Sequence, residues 1–174
     1  MEIKQVYAKG DAYAALDCVG IIHKLMQVEY DSVFKYLVLM KNCDDQRFIH
    51  LTELYYKYAM EEEKHFKRHL DFLIDLKYPT MIPCPVCPAI TTTTCDEIFS
   101  LSLEHEKFVT ASYASAMKRA LELNDHMLHE HLGWYLSEQV EEHKKFLDWI
   151  DFCYMLGSSP QKMFEVDKLA ESKL

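Results

Sequence analysis

A carboxylate and an imidazole stand three residues apart at Glu62 and His65. In a helix this spacing places both side chains on one face, one turn apart. A Glu-x-x-His pair can supply part of a carboxylate-bridged centre for two metal ions inside a four-helix bundle. Because a chain with 28 acidic residues and 9 histidines contains such pairs by chance, this interpretation depends on matching ligands elsewhere in the chain.

Matching ligands are present on three further predicted helices. Side chains that recur every three or four residues predict helices at about residues 12–40, 46–76, 95–123 and 126–156. Each helix carries one carboxylate on a face that is otherwise apolar or aromatic, and these are Glu29, Glu62, Glu106 and Glu142. Buried carboxylates without partners are costly or stay protonated. We therefore expect divalent cations to neutralise them.

The alternative interpretation is that the four glutamates are separate surface residues. The spacing along the chain favours a single cluster. Glu29 and Glu62 are 33 residues apart, and so are Glu106 and Gln139. This equality indicates two helical hairpins related by a pseudo-two-fold axis, with the four positions at a similar depth in the bundle.

The segment between the second and third helices differs from the rest of the chain. Residues 77–94 contain four prolines and end in four threonines, so they cannot be helical throughout. Eighteen residues are enough to cross the length of a bundle. The third helix is therefore predicted to run parallel to the second, in an up-down-down-up bundle.

Polar residues predict where the helices begin and end. Asp44 or Asp45 is expected to cap the second helix, and Thr94 with Glu97 forms a capping box for the third. Asn124–Asp125 predicts a tight break before the fourth helix. Gly157 is expected to end that helix, and Ser159–Pro160 to start a short fifth helix at residues 161–173.

Length and composition indicate one all-α domain. The 174 residues include only 4 glycines and 5 prolines, and 49% are hydrophobic. We assign residues 1–11 to an N-terminal arm and 12–174 to the domain. A net charge of −9 argues against nucleic acid or an anionic membrane as a partner. The expected location is the cytoplasm, because neither a secretory signal nor a membrane span is visible and six cysteines suit a reducing compartment.

From about Tyr13 onward the chain resembles the ferritin family, specifically the bacterial non-haem type. The segments that carry the resemblance are VEYDSVFKY, EEEKH, LEHEKFVT, GWYLSEQVEEHKKF and MFEVDKLA. The spacing between these segments also follows the family, without an insertion. The resemblance implies a ferritin-like four-helix bundle with a long crossover and a short fifth helix.

The resemblance also implies roles for individual residues. One iron would be held by Glu29, Glu62 and His65, and Glu62 would bridge to a second iron held with Glu106 and Glu142, with Gln139 close by. Tyr36 corresponds to the tyrosine beside the dinuclear centre. A third, looser iron site would use Glu61, Glu138 and Glu141, with Glu142 shared between sites.

The implied function is iron storage and detoxification. Such a protein is a ferroxidase: it oxidises Fe(II) to Fe(III) with dioxygen or hydrogen peroxide and deposits ferric mineral inside a cage. The implied assembly is a homo-oligomer of 24 subunits, with the fifth helix packed around a four-fold axis.

Two related classes and one non-enzymatic function are the alternatives. Rubrerythrin-like peroxidases and bacterioferritins place a histidine three residues after a glutamate on the fourth helix. Here Gln139-x-x-Glu142 stands at that spacing and His143 comes one residue later, which favours the ferritin assignment. A cage that stores metal without fast oxidation, or a site that holds zinc, would instead lack oxygen-dependent turnover.

Two further groups of potential ligands have no assigned role. Cys84, Cys87 and Cys95 offer three thiols, which is one short of a tetrahedral metal set. His126, His129 and His131 cluster at the start of the fourth helix, where they either bind metal or face solvent.

Overall fold

Five α-helices build the protein. The computed structural model describes residues 12–159 and 161–174 and contains no β-strand there; the predicted arm, residues 1–11, lies outside this described part. The helices are α1 (Cys18–Asp45), α2 (Ile49–Asp75), α3 (Cys95–Glu122), α4 (His126–Leu156) and α5 (Lys162–Glu171). The predicted all-α architecture of four long helices and one short C-terminal helix is confirmed.

The crossover between α2 and α3 runs along the whole of α1. At the start of α1, His23 Nε2 accepts a hydrogen bond from the backbone N–H of Met81 at 3.1 Å. At its end, the side chain of Gln46 donates to the carbonyl of Thr92 at 3.1 Å. Since the crossover carries the chain from one end of the bundle to the other, α3 starts at the same end as α2. The up-down-down-up topology is therefore confirmed.

Several predicted helix ends are confirmed. Thr94 and Glu97 form the expected capping box at the start of α3, and the Asp125 carboxylate caps α4 by accepting from the N–H of Leu128. Asn124 and Gly157 adopt positive φ angles of 56° and 59°. Both residue types tolerate this left-handed conformation, which allows the chain to leave a helix sharply.

The predicted cap of α2 is wrong. α1 continues through Asp45, and the chain turns at Arg47, so neither Asp44 nor Asp45 caps α2. The residue at the N-cap is Phe48, which has no capping side chain. The missing acceptor comes from α5, where the Asp167 carboxylate accepts from the N–H of Leu51 at 2.8 Å.

The start of α5 also differs from the prediction. The helix begins at Lys162 with Gln161 at the N-cap, and Gln161 makes no side-chain capping hydrogen bond. Ser159 therefore does not cap this helix, although its hydroxyl accepts a 3.2 Å hydrogen bond from the N–H of Gln161. Pro160 lies outside the described residues.

Two apolar clusters fill the bundle, one toward each end. One contains the apolar residues between positions 33 and 43 of α1 and the α4 residues Phe146, Trp149 and Cys153. The other contains the apolar residues between positions 21 and 28 of α1 together with the α4 residues Leu128, Leu132 and Tyr135. The layer between them is polar and holds the four glutamates. None of the helices among the described residues combines the length and the hydropathy that a membrane-spanning segment requires.

Candidate metal centre

Five potential metal ligands meet in the polar layer between the two apolar clusters. Their ligand atoms form two groups, within each of which all atoms lie no more than 4.8 Å apart. The groups are Glu29, Glu62 and His65, and Glu62, Glu106 and Glu142. All five side chains are at most 8% exposed. Glu62 belongs to both groups, so the arrangement suits two cations that share one carboxylate.

An unsatisfied oxygen in the first group supports this interpretation. Glu29 Oε2 is buried and accepts no hydrogen bond. The imidazole of His65 lies nearby, with Nδ1 3.7 Å from Glu29 Oε2 and 3.2 Å from Glu62 Oε2. A buried carboxylate oxygen without a donor is costly unless a cation approaches it. The donor set therefore fits a metal ion between Glu29, Glu62 and His65.

Two tyrosines hold the outer glutamates in a reciprocal arrangement. The hydroxyl of Tyr36 on α1 donates to Glu106 Oε1 on α3. The hydroxyl of Tyr113 on α3 donates to Glu29 Oε1 on α1. Each tyrosine follows the glutamate of its own helix by seven residues. Sequence reasoning placed Tyr36 at the centre but missed Tyr113, although the shared seven-residue spacing was a signal for it.

Gln139 lies beside the second group and holds Glu106. Its amide nitrogen donates to Glu106 Oε2 at 3.1 Å, and its amide oxygen accepts from the hydroxyl of Thr110 at 2.7 Å. His143 Nε2 also lies 2.8 Å from this hydroxyl. Consequently His143 faces Thr110 and belongs to neither ligand group.

Glu61, Glu138 and Glu141, which were predicted for a third metal, belong to no three-ligand group among the described residues, and a lysine lies beside one of them. Lys145 Nζ is 2.6 Å from Glu142 Oε2 and 3.1 Å from Glu61 Oε2. Glu138 is half-buried and Glu141 is exposed. Lys145 was not predicted as part of the site, although its position one turn after Glu142 placed it on the same face of α4.

Burial shifts the protonation of the cluster. It raises the pKa of Glu62 to about 7 and, with repulsion from Glu62 and Glu142, the pKa of Glu106 to about 8. Burial also raises the pKa of Glu142. Although burial alone would lower the pKa of His65, its contacts with Glu29 and Glu62 raise it to about 11. Without metal, the cluster therefore holds protons that cations would displace.

The other histidines and the thiols do not form a comparable site among the described residues. His126 is exposed, whereas His131 is half-buried and contacts His69. Cys84 and Cys87 are exposed, and Cys95 is buried. No group of three potential ligands in the described chain includes any of these residues.

Comparisons with known proteins agree with the geometry. The sequence model of the family described as "Ferritin-like domain" matches residues 20–153. A bacterial non-heme ferritin of Escherichia coli O6:H1 is 27% identical over 147 residues, which cover 84% of this chain and 89% of the relative. A bacterial non-heme ferritin of Staphylococcus epidermidis is 24% identical over 152 residues, covering 87% and 92%.

A solved structure has the same fold. The open-pore ferritin of Archaeoglobus fulgidus superposes with a TM-score of 0.84 at 22% identity, covering 88% of this chain and 94% of that one. At this identity the superposition establishes the fold alone. Together with the family match over most of the chain, it confirms the resemblance predicted from the sequence. The chain belongs to the ferritin family.

Proposed function

We propose that the protein stores iron and oxidises Fe(II) to Fe(III) at the buried centre between α1, α2, α3 and α4. The observation that carries this proposal is the position of Glu62, which belongs to two three-ligand groups. Each of the four long helices contributes one glutamate to these groups. The relatives named bacterial non-heme ferritins support the same function.

The ligand types favour this chemistry. Carboxylate oxygens with one imidazole suit iron or manganese better than metals that prefer sulfur ligands. Anionic carboxylates stabilise Fe(III) relative to Fe(II), which makes oxidation favourable. Two Fe(II) substrates release two electrons, which reduce O2 with two protons to H2O2, or H2O2 with two protons to two waters. The shared carboxylate of Glu62 keeps the two irons close enough to act together.

The surrounding residues hold the ligands in place. Tyr36 and Gln139 bind the two oxygens of Glu106, and Tyr113 binds one oxygen of Glu29. The apolar clusters on both sides of the layer keep bulk water away from the centre. Charged ligands and substrate ions therefore interact in an environment of low polarity, where their attraction is strong.

We further propose that the product accumulates as ferric mineral in a cage of 24 subunits in the cytoplasm. The short helix α5, which would pack around a cage four-fold axis in such an assembly, supports this proposal. The six cysteines are free thiols in the structure, a state that a reducing compartment maintains.

A rubrerythrin-like or bacterioferritin-like activity has less support. The second Glu-x-x-His pair of those classes is absent from α4, and His143 contacts Thr110 instead of the ligand groups. A container without fast oxidation has the same geometry. It differs only in its reaction with oxygen.

The test is aerobic oxidation of two Fe(II) per subunit, followed by stopped-flow absorbance near the ultraviolet edge and by an oxygen electrode. We expect a fast phase well above the rate in protein-free buffer and consumption of about one O2 per two Fe(II). Preloading the centre with Zn(II) should suppress the fast phase. Oxidation at the rate of protein-free buffer would instead indicate a protein that stores iron without oxidising it rapidly.

The ammonium of Lys145 is expected to occupy the position of a third cation. It binds Glu61 and Glu142, two of the residues predicted for the third site. We therefore propose two metal ions per subunit for this chain. In Lys145→Met, the released carboxylates should bind an additional Co(II) per subunit, because an uncompensated negative pair attracts a cation.

Equilibrium dialysis against Co(II), followed by elemental analysis, counts the bound ions. Lys144→Met is the matched control, since Lys144 is exposed and pairs with Asp148 on the surface. We expect two Co(II) per subunit in the wild type and in this control, and three in Lys145→Met. Three in the wild type, or two in Lys145→Met, would contradict the role of Lys145.

A further inference from the structure

A chain of hydrogen bonds leads from the candidate metal centre toward the protein surface. Behind Tyr113, the Nε2 atom of His69 lies 2.8 Å from the tyrosine oxygen. On its other side, His69 Nδ1 lies 3.0 Å from Nε2 of His131. His69 is fully buried, whereas His131 lines a surface groove of about 410 Å³. Neither histidine belongs to a ligand group.

The direction of each hydrogen bond follows from counting protons. Tyr113 has one hydroxyl proton and donates it to Glu29 Oε1. Its oxygen must therefore accept from the Nε2–H of His69. Burial, together with the positive charges of His65 and Arg68, lowers the pKa of His69 well below its usual value, so the ring carries one proton. Its Nδ1 then accepts from the Nε2–H of His131. Every donor in the chain points toward Glu29.

Aromatic packing holds this chain in one conformation. The ring of Tyr135 stacks on His69 at 4.2 Å between centroids, with 7° between the ring planes. The same ring stacks on Tyr113 at 4.7 Å and 13°. Phe72 stacks on His131 at 4.0 Å. These three stacked pairs restrict the orientation of the rings that make the hydrogen bonds.

The consequence for Glu29 is that its two oxygens differ. Oε1 receives the Tyr113 hydroxyl, while Oε2 is buried, accepts no hydrogen bond and faces His65. On the opposite side of the centre, both oxygens of Glu106 are held, by Tyr36 and by Gln139. The hydrogen bonds that continue through His69 and His131 therefore lead to Glu29 and not to Glu106.

We propose that His69 and His131 are positioning residues that fix Glu29 through Tyr113, so that a metal ion meets a single, pre-oriented oxygen of that carboxylate. This inference rests on the proposed metal centre. Partners that orient a metal ligand from behind contribute about 10–100-fold to metal affinity. Because His69 contacts Tyr113 and not Glu29 itself, loss of its hydrogen bond should lower the affinity for the ion held by Glu29, Glu62 and His65 by roughly 10-fold, the lower end of this range, and leave the affinity for the other ion nearly unchanged.

Anaerobic calorimetric titration of the metal-free protein with Co(II), which does not oxidise under these conditions, tests the proposal. In His69→Leu the hydrogen bond to Tyr113 is lost and the volume of the side chain is approximately kept. His69→Gln retains an N–H near the position of Nε2. We expect the affinity for one of two Co(II) ions to fall roughly 10-fold in His69→Leu and to recover in His69→Gln.

Two further variants identify the site whose Co(II) affinity falls. Tyr113→Phe should lower the affinity of the same site as His69→Leu, whereas Tyr36→Phe should lower the affinity of the other site. Glu29→Ala and Glu106→Ala identify each step of the titration. His129→Leu is the matched control, because His129 is a half-buried histidine of α4 that takes no part in these hydrogen bonds. Thermal unfolding and circular dichroism confirm that each variant is folded.

The outcomes separate this proposal from the proposed function. If folded His69→Leu bound both Co(II) ions with wild-type affinity, the positioning role would be overturned and the metal centre would stand. The positioning role would also be overturned if the affinities for both ions fell equally, or if His69→Gln bound Co(II) no better than His69→Leu. A wild-type protein that binds no Co(II) would contradict the metal centre itself.

Discussion

Replacing Glu62 by alanine should remove fast Fe(II) oxidation. Glu62 is the one residue common to both ligand groups, so this change withdraws an oxygen from each metal ion at once. Loss of a residue that merely orients a ligand costs about 10–100-fold in affinity or activity, and loss of a shared ligand should cost more. The fast phase in stopped-flow absorbance should fall to the rate of protein-free buffer.

The neighbouring Glu63 provides a matched control. Glu63 is exposed on α2 and belongs to neither ligand group. Glu63→Ala removes the same charge from the same helix and should oxidise Fe(II) at the wild-type rate. If Glu62→Ala retained the fast phase, or if both variants lost it equally, oxidation would not occur at this centre.

The metal-free protein should become less stable as the pH rises from about 6.5 to 8. The pKa values of Glu62 and Glu106 are raised from 4.5 to about 7 and about 8. That of His65 is raised from 6.5 to about 11. In this window the folded state holds protons that the unfolded state has released, and each contributes about 1.4 kcal/mol per pH unit. The free energy of unfolding should therefore fall by a few kcal/mol.

Below pH 6.5 an opposing contribution appears. Burial lowers the pKa of His69 and His105 well below the usual value, and with Arg68 it lowers that of His131 to about 4. Unfolding then takes up protons at these histidines, so their contribution to stability is lost as the pH falls. The decline in stability with rising pH should therefore be weaker below pH 6.5 than above it.

Thermal unfolding in the presence of a chelator, at several pH values, measures this dependence. Addition of Co(II) should reverse the trend above pH 6.5, because cations displace the protons and bind more tightly as the pH rises. Glu106→Gln removes one titrating group and should flatten the decline. If the metal-free protein instead became more stable between pH 6.5 and 8, the glutamate cluster would not hold the protons that we assign to it.

The sequence was sufficient to predict the helices and the position of the glutamate cluster. Glu62 and His65 share a helix face because of the helical repeat, and the stripe positions of Glu29 and Glu106 follow from the same periodicity. These relations are local, so they need no knowledge of packing. The proline-rich crossover likewise predicted the parallel arrangement of α2 and α3.

Contacts between helices were not predictable to the same extent. Tyr113 donates to Glu29 across 84 residues of chain, and Lys145 reaches Glu61 across the same separation. Asp167 caps α2 from α5, which explains why the local capping rule failed at Asp44 and Asp45. Such contacts depend on how each helix rotates against its neighbours, and the periodicity of one helix does not specify this.

Anomalous diffraction from crystals loaded with Co(II), at the cobalt edge, tests the two-metal centre most directly. The arrangement of ligands predicts two peaks per subunit, roughly 3.5–4 Å apart. One should lie among Glu29, Glu62 and His65, and the other among Glu62, Glu106 and Glu142. A single peak, or peaks away from Glu62, would contradict a centre in which one carboxylate joins two metal ions.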